Sequence, residues 1–433
     1  MENTKTIAKA RQGLHGTIEI PGDKSISHRS VMFSALGSTP VHITNFLHAQ
    51  DCLSTAACMK ALGASVEFES ETALAVCGHG LHGLQEASTI IDAGNSGTTL
   101  RLMMGILAPQ PFLTTFTGDA SLYKRPMGRV IKPLSAMGAK IYGRENNTKL
   151  PITIVPAESR LHGMVYESPV ASAQVKSLSC SPACTQMARR RLSSRLPRAT
   201  TRSACSSLRH RDEERGHGRD DRAGRLLPCA GGHRSARRHQ LGGLLARGGL
   251  RRAGQQPALE ECRRQPDAHG HPRRPQGDGA SVTLENERVS GGEAAADIRV
   301  EAVKLHGTSF GAEIMPRLID EIPVIAVAAL FAEGDTVITG AGELRVKETD
   351  RLQAITNEFN KLAPGSVEAS EDGLVIHGGT KVQCANCFSY DDHRMAMSLA
   401  ILGTAGEGVE IERPDCVNIS YPAFYGTLAR LQA

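Results

Sequence analysis

Two cations and several hydroxyl groups lie within one short turn near the amino terminus. Residues 21–29 read Pro-Gly-Asp-Lys-Ser-Ile-Ser-His-Arg, and an apolar helical pattern follows them. Free backbone N–H groups and the helix dipole attract anions at a helix start. Lys24 adds a compact charge, and Arg29 adds a planar fork that fits a carboxylate or phosphate. The turn therefore predicts an anion-binding site or, alternatively, an ordinary capped helix with a solvated charged turn.

Three further turns have donors or cations in similar positions. Residues 92–101 read Asp-Ala-Gly-Asn-Ser-Gly-Thr-Thr-Leu-Arg, where Gly97 allows a close backbone approach. Their glycine spacing fits neither a Walker loop nor a dinucleotide fingerprint. Residues 118–129 place Arg125 and other cations around a Pro-Met-Gly break, and residues 168–176 offer hydroxyl and amide donors. The first turn predicts either an anion contact or a plain N-cap, and the second predicts either an anion contact or a solvated basic loop. The third is a weak signal by itself.

Acidic residues precede an apolar helical pattern in the second half of the chain. Asp320 and Glu321 stand directly before the apolar run that starts at Ile322. A carboxylate against an apolar wall can act as a general base, although acids also favour helix starts for electrostatic reasons. Lys347, Glu348 and Arg351 follow at i, i+1 and i+4. That spacing is typical of a solvated helix face.

Another polar helix start lies at Asp392-His-Arg394.

The sequence gives little support for metal chemistry. Cys384 and Cys387 form a single C-x-x-C without a second pair or a His at zinc spacing. No Gly-x-Ser-x-Gly elbow is present. We therefore expect no metal site and no serine-hydrolase chemistry.

Length and composition set the class of protein. With 433 residues, the chain is long enough for about two or three domains. No apolar run approaches the roughly 20 residues that span a bilayer, and the amino terminus does not resemble a signal peptide. The eleven cysteines show no paired spacing, which indicates a reducing cytoplasm. The net charge of +5 says little about partners, because it is unevenly placed.

The composition changes abruptly in residues 178–278. These 101 residues contain 22 Arg but no Lys, Ile, Val, Phe or Tyr. Without β-branched aliphatic or aromatic residues, such a segment cannot form central strands or a dense core. The alternatives are a nucleic-acid-binding arm, a natural insertion and an out-of-frame stretch of GC-rich coding sequence. We favour the out-of-frame stretch, which would replace native sequence rather than add to it.

A short pattern repeats along the chain. Residues 61–66, 136–141 and 279–282 share Gly-Ala-x-(Val/Ile), with a looser copy at 362–367. Each follows an apolar segment and precedes a strand, which predicts a left-handed glycine after a helix and then a β-hairpin. The first two copies start 75 residues apart, so another would fall near residue 213. The repeats predict a two-lobed α/β protein built by duplication.

Five ordered motifs together resemble the 3-phosphoshikimate 1-carboxyvinyltransferase (EPSP synthase) family, over roughly residues 1–177 and 279–433. The motifs are residues 22–29, 94–98, 124–128, 345–351 and 392–397. The resemblance implies an α/β, two-lobed enolpyruvyl transferase fold, an inside-out α/β barrel with three βαβαββ-type repeats in each lobe. One lobe would be discontinuous, with residues 1–21 plus about 240–433. The other would span 22–239, and the anomalous Arg-rich segment would cross the boundary.

The resemblance also implies an activity. Members transfer the enolpyruvyl group of phosphoenolpyruvate to the 5-hydroxyl of 3-phosphoshikimate and release phosphate, within the shikimate pathway that leads to chorismate and aromatic amino acids. We therefore expect a cytoplasmic monomer that uses no cofactor. Its partners would be the two small-molecule substrates, with no nucleic acid and no membrane.

Roles for single residues follow by motif from the same resemblance. Asp320 is implied as the base that takes the hydroxyl proton, Glu348 as the acid that protonates the methylene carbon, and Lys24 as a contact to both substrates. The residues implied to hold 3-phosphoshikimate are Lys24, Ser25, Arg29, Ser172, Gln174, Asp320 and Lys347. Those implied to hold phosphoenolpyruvate are Lys24, Gly97, Arg125, Gln174, Arg351 and Arg394.

The chain departs from the family pattern in two places. The Ser-Arg-Asp-like run that follows Gln174 in family members would fall in the Arg-rich segment, and residues 419–422 lack a lysine that many members have. The first departure puts the activity of this chain in question, so an inactive relic is one alternative. A second is a UDP-N-acetylglucosamine enolpyruvyl transferase, which shares the fold but lacks the Asp-His-Arg-Met-Ala-Met run. A third is an Arg-rich nucleic-acid-binding protein.

Overall fold

The structure, a computed structural model, describes residues 3–162 and 304–433 together with several strands between them. Those strands are 166–167, 192–193, 233–234, 237–238, 258–263, 281–290 and 293–301. The chain divides into two compact units. The first comprises Met1–Pro21, Ala236–Val289 and Ala294–Ala433, and the second comprises Gly22–Ser235 and Ser290–Glu293.

Strands and helices alternate through most of the described chain. The strands are β1 Thr4–Ile7, β2 Thr17–Glu19, β3 Val41–Thr44, β4 Ser65–Ser70, β5 Ala73–Cys77, β6 Ile91–Asp92, β7 Thr114–Thr117, β8 Lys140–Gly143, β9 Lys149–Val155, β10 Tyr166–Glu167, β11 Leu192–Ser193, β12 His233–Arg234, β13 Arg237–Arg238, β14 Ala258–Arg263, β15 Ser281–Ser290, β16 Glu293–Glu301, β17 Ser309–Phe310, β18 Asp335–Ile338, β19 Val367–Ala369, β20 Leu374–His377, β21 Asn386–Phe388 and β22 Val409–Glu412. The α-helices longer than one turn, with the short α5, are α1 Lys24–Ser34, α2 Gln50–Ala61, α3 Gly97–Leu107, α4 Gly128–Ala136, α5 Met315–Leu318, α6 Ile322–Leu330, α7 Arg351–Leu362, α8 His393–Ala405 and α9 Phe424–Gln432. Short 3₁₀ turns lie at Leu122–Lys124, Ile319–Glu321, Gly342–Val346 and Pro414–Ile419.

Three four-stranded sheets share one topology. Their strand orders are β12-β3-β5-β4, β6-β7-β9-β8 and β17-β18-β20-β19. In each, the first two strands are parallel and the last three are antiparallel. The second and third sheets belong to different units and, with the intervening helices, show the βαβαββ order that the resemblance implies. A count of three such repeats in each lobe stays a prediction.

Two further sheets lie mainly in the first unit. Strand β1 pairs with β22, which pairs in turn with β21. A second sheet has the order β13-β14-β16-β15, and β2 pairs with β14. The strand that ends before the Lys24 turn is therefore a partner of β14, three registered pairs long. Because β14 also pairs with β16 and β13, the expectation that residues 178–278 form no central strand is wrong: backbone hydrogen bonds can pair a strand that lacks β-branched residues.

Glycines end the helices where the repeat predicts them. Gly63, Gly138 and Gly365 have φ angles of +92°, +98° and +72°, the left-handed region in which a side chain is strained. Each is followed by an antiparallel hairpin: β4–β5, β8–β9 and β19–β20. This part of the prediction is confirmed. The copy at 279–282 begins outside the described residues.

Each unit has its own hydrophobic core. Buried apolar residues from Val31 to Leu161 form one cluster, and a second combines Ile7–Ile20 with residues from Ile298 onward. Within the described part of the chain, no helix has the length and apolar character needed to cross a membrane.

One local interpretation of the sequence is wrong. Lys347, Glu348 and Arg351 do not share a helix face, because α7 begins only at Arg351. Asp350 is the N-cap, and its side chain accepts a hydrogen bond from the Gln353 backbone N–H at 3.1 Å. Arg351 is also 1% exposed rather than solvated. The first two residues instead belong to the segment that leads into the helix.

Candidate functional site

Capping residues fix the helix starts that carry the candidate side chains. Asp23 accepts a hydrogen bond from Ile26 N–H at 2.7 Å at the start of α1. Ser96 accepts one from Thr99 N–H at 3.1 Å at the start of α3. Asp392 caps α8 and accepts from Arg394 N–H at 2.8 Å. These helices thus begin at the polar turns that the sequence predicts.

In the second unit, the first turn of α1 is built around Lys24. Lys24 Nζ lies 2.5 Å from Asp51 Oδ2, whose side chain is only 6% exposed. The Arg29 guanidinium is buried and donates to the Ser25 carbonyl at 3.0 Å, which holds the turn. Sequence reasoning missed Asp51, because an acid in the first turn of α2 looks like ordinary dipole complementarity.

The Gly97 turn meets a second basic turn in the same unit. Arg125 donates to Asn95 Oδ1 at 2.8 Å and to Ser121 Oγ at 3.1 Å. A Cβ at Gly97 would lie 3.0 Å from one Arg101 nitrogen and 3.5 Å from one Arg125 nitrogen. The structure thus brings Gly97 and Arg125 together and adds Arg101, which the sequence analysis did not single out. Two guanidinium groups beside helix N–H groups suit an anion.

In the first unit, Arg351 is the centre of a charged network. Its Nε lies 2.7 Å from Asp392 Oδ2, and its two terminal nitrogens lie 2.8 Å from Glu348 Oε2 and 3.3 Å from Asp320 Oδ1. Burial disfavours the guanidinium charge, but the three carboxylates outweigh burial and raise the pKa of Arg351. Arg351 therefore stays charged, and an anion that binds it meets a guanidinium already held by three carboxylates.

Two more cations reach the same network. Lys347 Nζ lies 3.5 Å from Asp320 Oδ1 and 3.7 Å from Glu343 Oε1. Arg394 donates to the Asp320 carbonyl at 2.6 Å and lies 3.5 Å from Glu321 Oε1. The candidate residues Asp320, Lys347, Glu348, Arg351 and Arg394 thus form one connected cluster. Such a cluster can hold an anionic group next to a proton acceptor.

Two predicted site residues cannot be placed. Ser172 and Gln174 lie outside the described residues, so their implied contacts with substrate stay predictions. No group of three or more His, Cys, Asp or Glu side chains suited to a metal occurs among the residues that the structure describes. The site residues that the structure does describe are cations, carboxylates and residues of helix starts.

The fold, the basic turns of the second unit and the charged network around Arg351 define an α/β protein with cations at its helix starts. Such an arrangement is expected of a transferase that acts on anionic substrates. The family model for EPSP synthase (3-phosphoshikimate 1-carboxyvinyltransferase) matches residues 8–200 and 279–428. The chain belongs to this family. The match resumes at residue 279, where the Arg-rich segment ends, and its first part extends beyond the limit of 177 inferred from the motifs.

Individual relatives are similar to this protein over nearly the whole chain. A 3-phosphoshikimate 1-carboxyvinyltransferase from Desulforamulus reducens is 39% identical over 429 residues, covering 96% of both chains. One from Bacillus cereus is 41% identical over 436 residues, covering 99% of both. The solved structure of EPSP synthase from Acinetobacter baumannii is 31% identical, with a TM-score of 0.80, and covers 99% of this chain and 98% of that one. These similarities favour this family over the two other functional classes considered.

Proposed function

We propose that this chain transfers the enolpyruvyl group of phosphoenolpyruvate to the 5-hydroxyl of 3-phosphoshikimate and releases phosphate, a step of the shikimate pathway. The family membership is the observation that carries the proposal. The charged clusters support it chemically, because two phosphorylated substrates and a carboxylate must be held close together. Cations placed beforehand offset their mutual repulsion.

Phosphoenolpyruvate would be bound by groups at three helix starts. Gly97 offers backbone N–H, and the nearby Arg125 is held in place by Asn95. Arg351 and Arg394 are the cations proposed for its carboxylate or phosphate, and both are fixed by acidic neighbours. Because rigid guanidinium groups lose little entropy on binding, these contacts favour affinity as well as orientation.

The sugar phosphate would be held by Lys24, Ser25 and Arg29, with Ser172 and Gln174 as further proposed contacts. Lys24 would touch both substrates. Its ammonium is held by Asp51 at 2.5 Å, which supports a fixed position for the shared charge.

Proton transfers would be divided between two carboxylates. Asp320 would take the proton of the 5-hydroxyl group while the hydroxyl oxygen attacks C2 of phosphoenolpyruvate. Glu348 would protonate C3, which gives a tetrahedral intermediate. Loss of a proton from C3 and of phosphate from C2 then forms the enol ether. Asp320 lies within 3.5 Å of Lys347 and Arg351, contacts that would orient it as a base.

Finer structural features belong to the same proposal. The two compact units would be the two lobes, each with three βαβαββ repeats in an inside-out α/β barrel. We also infer a cytoplasmic monomer without cofactor.

Release of inorganic phosphate from the purified full chain tests the proposed function. We expect release only when both substrates are present, and its loss in Lys24→Met. Lys60→Met, at an exposed lysine in the last turn of α2, is the matched control and should retain activity. Release with UDP-N-acetylglucosamine in place of 3-phosphoshikimate, or full activity of Lys24→Met, would contradict the proposal.

A further inference from the structure

A chain of buried hydrogen bonds joins three helices in the second unit. His28 Nδ1 on α1 lies 2.6 Å from Thr55 Oγ1 on α2. Thr55 Oγ1 lies 2.6 Å from Thr99 Oγ1 on α3, and the Thr99 hydroxyl donates to Ser96 Oγ at 2.7 Å. All four side chains are fully buried. Buried polar chains of this kind fix the relative positions of the elements they join.

Counting protons gives this chain a direction. Each hydroxyl donates one hydrogen bond, and for the Thr99 proton Ser96 Oγ at 2.7 Å is a closer acceptor than the Asp51 backbone oxygen at 3.5 Å. Thr55 must then supply the proton between the two threonines, so His28 donates from Nδ1. This tautomer leaves Nε2 as a bare acceptor, and Nε2 has no hydrogen-bond partner among the described residues. A bare buried acceptor is tolerated better than an unpaired buried N–H.

The charges around His28 agree with a neutral ring. Burial is the main cause that holds the pKa of His28 well below its ordinary value, and the neighbouring charges of Lys24 and Arg29 lower it further. From α2, the charged group at this turn is Asp51, which is paired with Lys24. Since the ring is fully buried, it acts on other residues rather than on a substrate.

We propose that His28 is a positioning residue: its neutral ring, protonated on Nδ1, directs the hydrogen-bond chain so that Ser96 Oγ accepts from both the hydroxyl and the N–H of Thr99. That arrangement holds the first turn of α3, where Gly97 lies. The inference rests on the proposed function, in which this turn binds phosphoenolpyruvate.

The same chain lies beside the residue that holds Lys24. The hydroxyls of Thr55 and Thr99 both lie 3.5 Å from the backbone oxygen of Asp51. The Asp51 side chain in turn holds the Lys24 ammonium. His28 thereby orders the turn that contains Gly97, next to the Asp51–Lys24 pair, without touching either ligand.

Nitrogen NMR of the full chain labelled with ¹⁵N-histidine tests the tautomer directly. The His28 signals are assigned by their loss in His28→Asn. We expect a protonated Nδ1 and a bare Nε2, unchanged between about pH 5 and pH 8, the range in which an ordinary His titrates. Thr55→Val should abolish this preference. Thr115→Val, which removes a threonine pair with Thr153 at 3.0 Å in the same unit, should leave it intact.

Kinetics test the positioning role. His28→Leu and the isosteric Thr55→Val should raise the KM for phosphoenolpyruvate about five- to tenfold, the effect of one lost hydrogen bond, with a smaller change in kcat. His28→Asn keeps a donor near the Nδ1 position and should restore most of the affinity. An Nε2-protonated ring, ordinary titration of His28, or an unchanged KM in both His28→Leu and Thr55→Val would overturn the inference. If the unsubstituted chain releases no phosphate, only the proposed function is contradicted. The NMR measurement of the His28 tautomer then tests the role of His28 by itself.

Discussion

Arg351 shows both what the local sequence reveals and what it hides. Its motif marks it as a site residue, yet its spacing from Lys347 indicated a solvated helix face. The Asp350 cap was a readable sign that the helix begins at Arg351. Its partners Asp320 and Asp392, by contrast, lie 31 and 41 residues away in sequence. Such contacts depend on tertiary packing, so no local pattern could predict them.

Removal of the Arg351 guanidinium should destabilise the chain strongly. Arg351→Met would leave the buried Asp392 carboxylate without its cation, and breaking a buried pair in this way costs about 3–5 kcal/mol. Arg351→Lys keeps a charge but loses the fork, so the loss should be smaller. Urea unfolding measures both variants against Arg430→Met at an exposed position. Equal stability of Arg351→Met and this control would show that the network does not stabilise the fold.

A methyl group at Gly97 should weaken binding of phosphoenolpyruvate selectively. The new Cβ would lie 3.0 Å from Arg101 and 3.5 Å from Arg125, closer to Arg101 than most real contacts allow. Displacement of these guanidinium groups should raise the KM for phosphoenolpyruvate about tenfold or more, since one lost charged hydrogen bond is worth ~1.5–3 kcal/mol. The KM for 3-phosphoshikimate should change little. Gly426→Ala, where the added Cβ meets nothing within 4 Å, is the control in steady-state assays.

At the scale of elements, the helix–glycine–hairpin unit was predictable from sequence. Gly63 and Gly138 have the left-handed conformation that the repeat requires, because a glycine cap and a polar turn are local signals. The pairing of β12 with β3 was not predictable. Its register joins His233 to Ile43, across a long stretch of chain with no compositional sign of a strand. Strand order depends on such distant pairings and therefore needs the structure.

A histidine cluster in the third sheet should make the stability of the chain depend on pH. His377 on β20 lies 3.0 Å from Asp335 on β18 and 3.7 Å from Glu368 on β19. The hydrogen bond that His377 donates to Asp335 is the main cause that raises the pKa of His377 above its ordinary 6.5. Folding therefore favours the protonated ring, and this stabilisation is fully present below pH 6.5 and is lost as the pH rises through the folded-state pKa.

The melting temperature of His377→Gln tests this linkage. The variant should melt below the unsubstituted chain in mildly acidic buffer, and the difference should shrink as the pH becomes alkaline. The effect should be small, because all three groups are exposed and salt screens them. His79→Gln, at another exposed histidine, controls for the substitution itself. A difference that grows with pH would contradict the assigned sign.

At the scale of the whole molecule, the sequence predicts two lobes and a foreign segment, and the two inferences depend on different signals. The lobes follow from repeats and motifs that survive in residues 1–177 and 279–433. The foreign segment follows from composition, because 22 Arg without any Lys, Ile or Val disfavour a core, although β12 and β14 of this segment are paired in sheets. The family model leaves out residues 201–278 and resumes at 279, which agrees with the end of that segment.

The coding DNA tests the origin of the segment. If codons 178–278 are out of frame, another reading frame of the same DNA should encode Lys, Ile and Val at the frequency of the flanks, with a Gly-Ala-x-(Val/Ile) repeat near residue 213. The same shift applied to codons 61–161 is the control and should destroy such texture there. A chain expressed from the restored frame should melt higher and release phosphate faster than the present one, because it regains βα units that can be buried. A segment that yields no such sequence in any frame, or a restored chain with no gain in either measurement, would contradict the out-of-frame origin and favour a natural Arg-rich insertion.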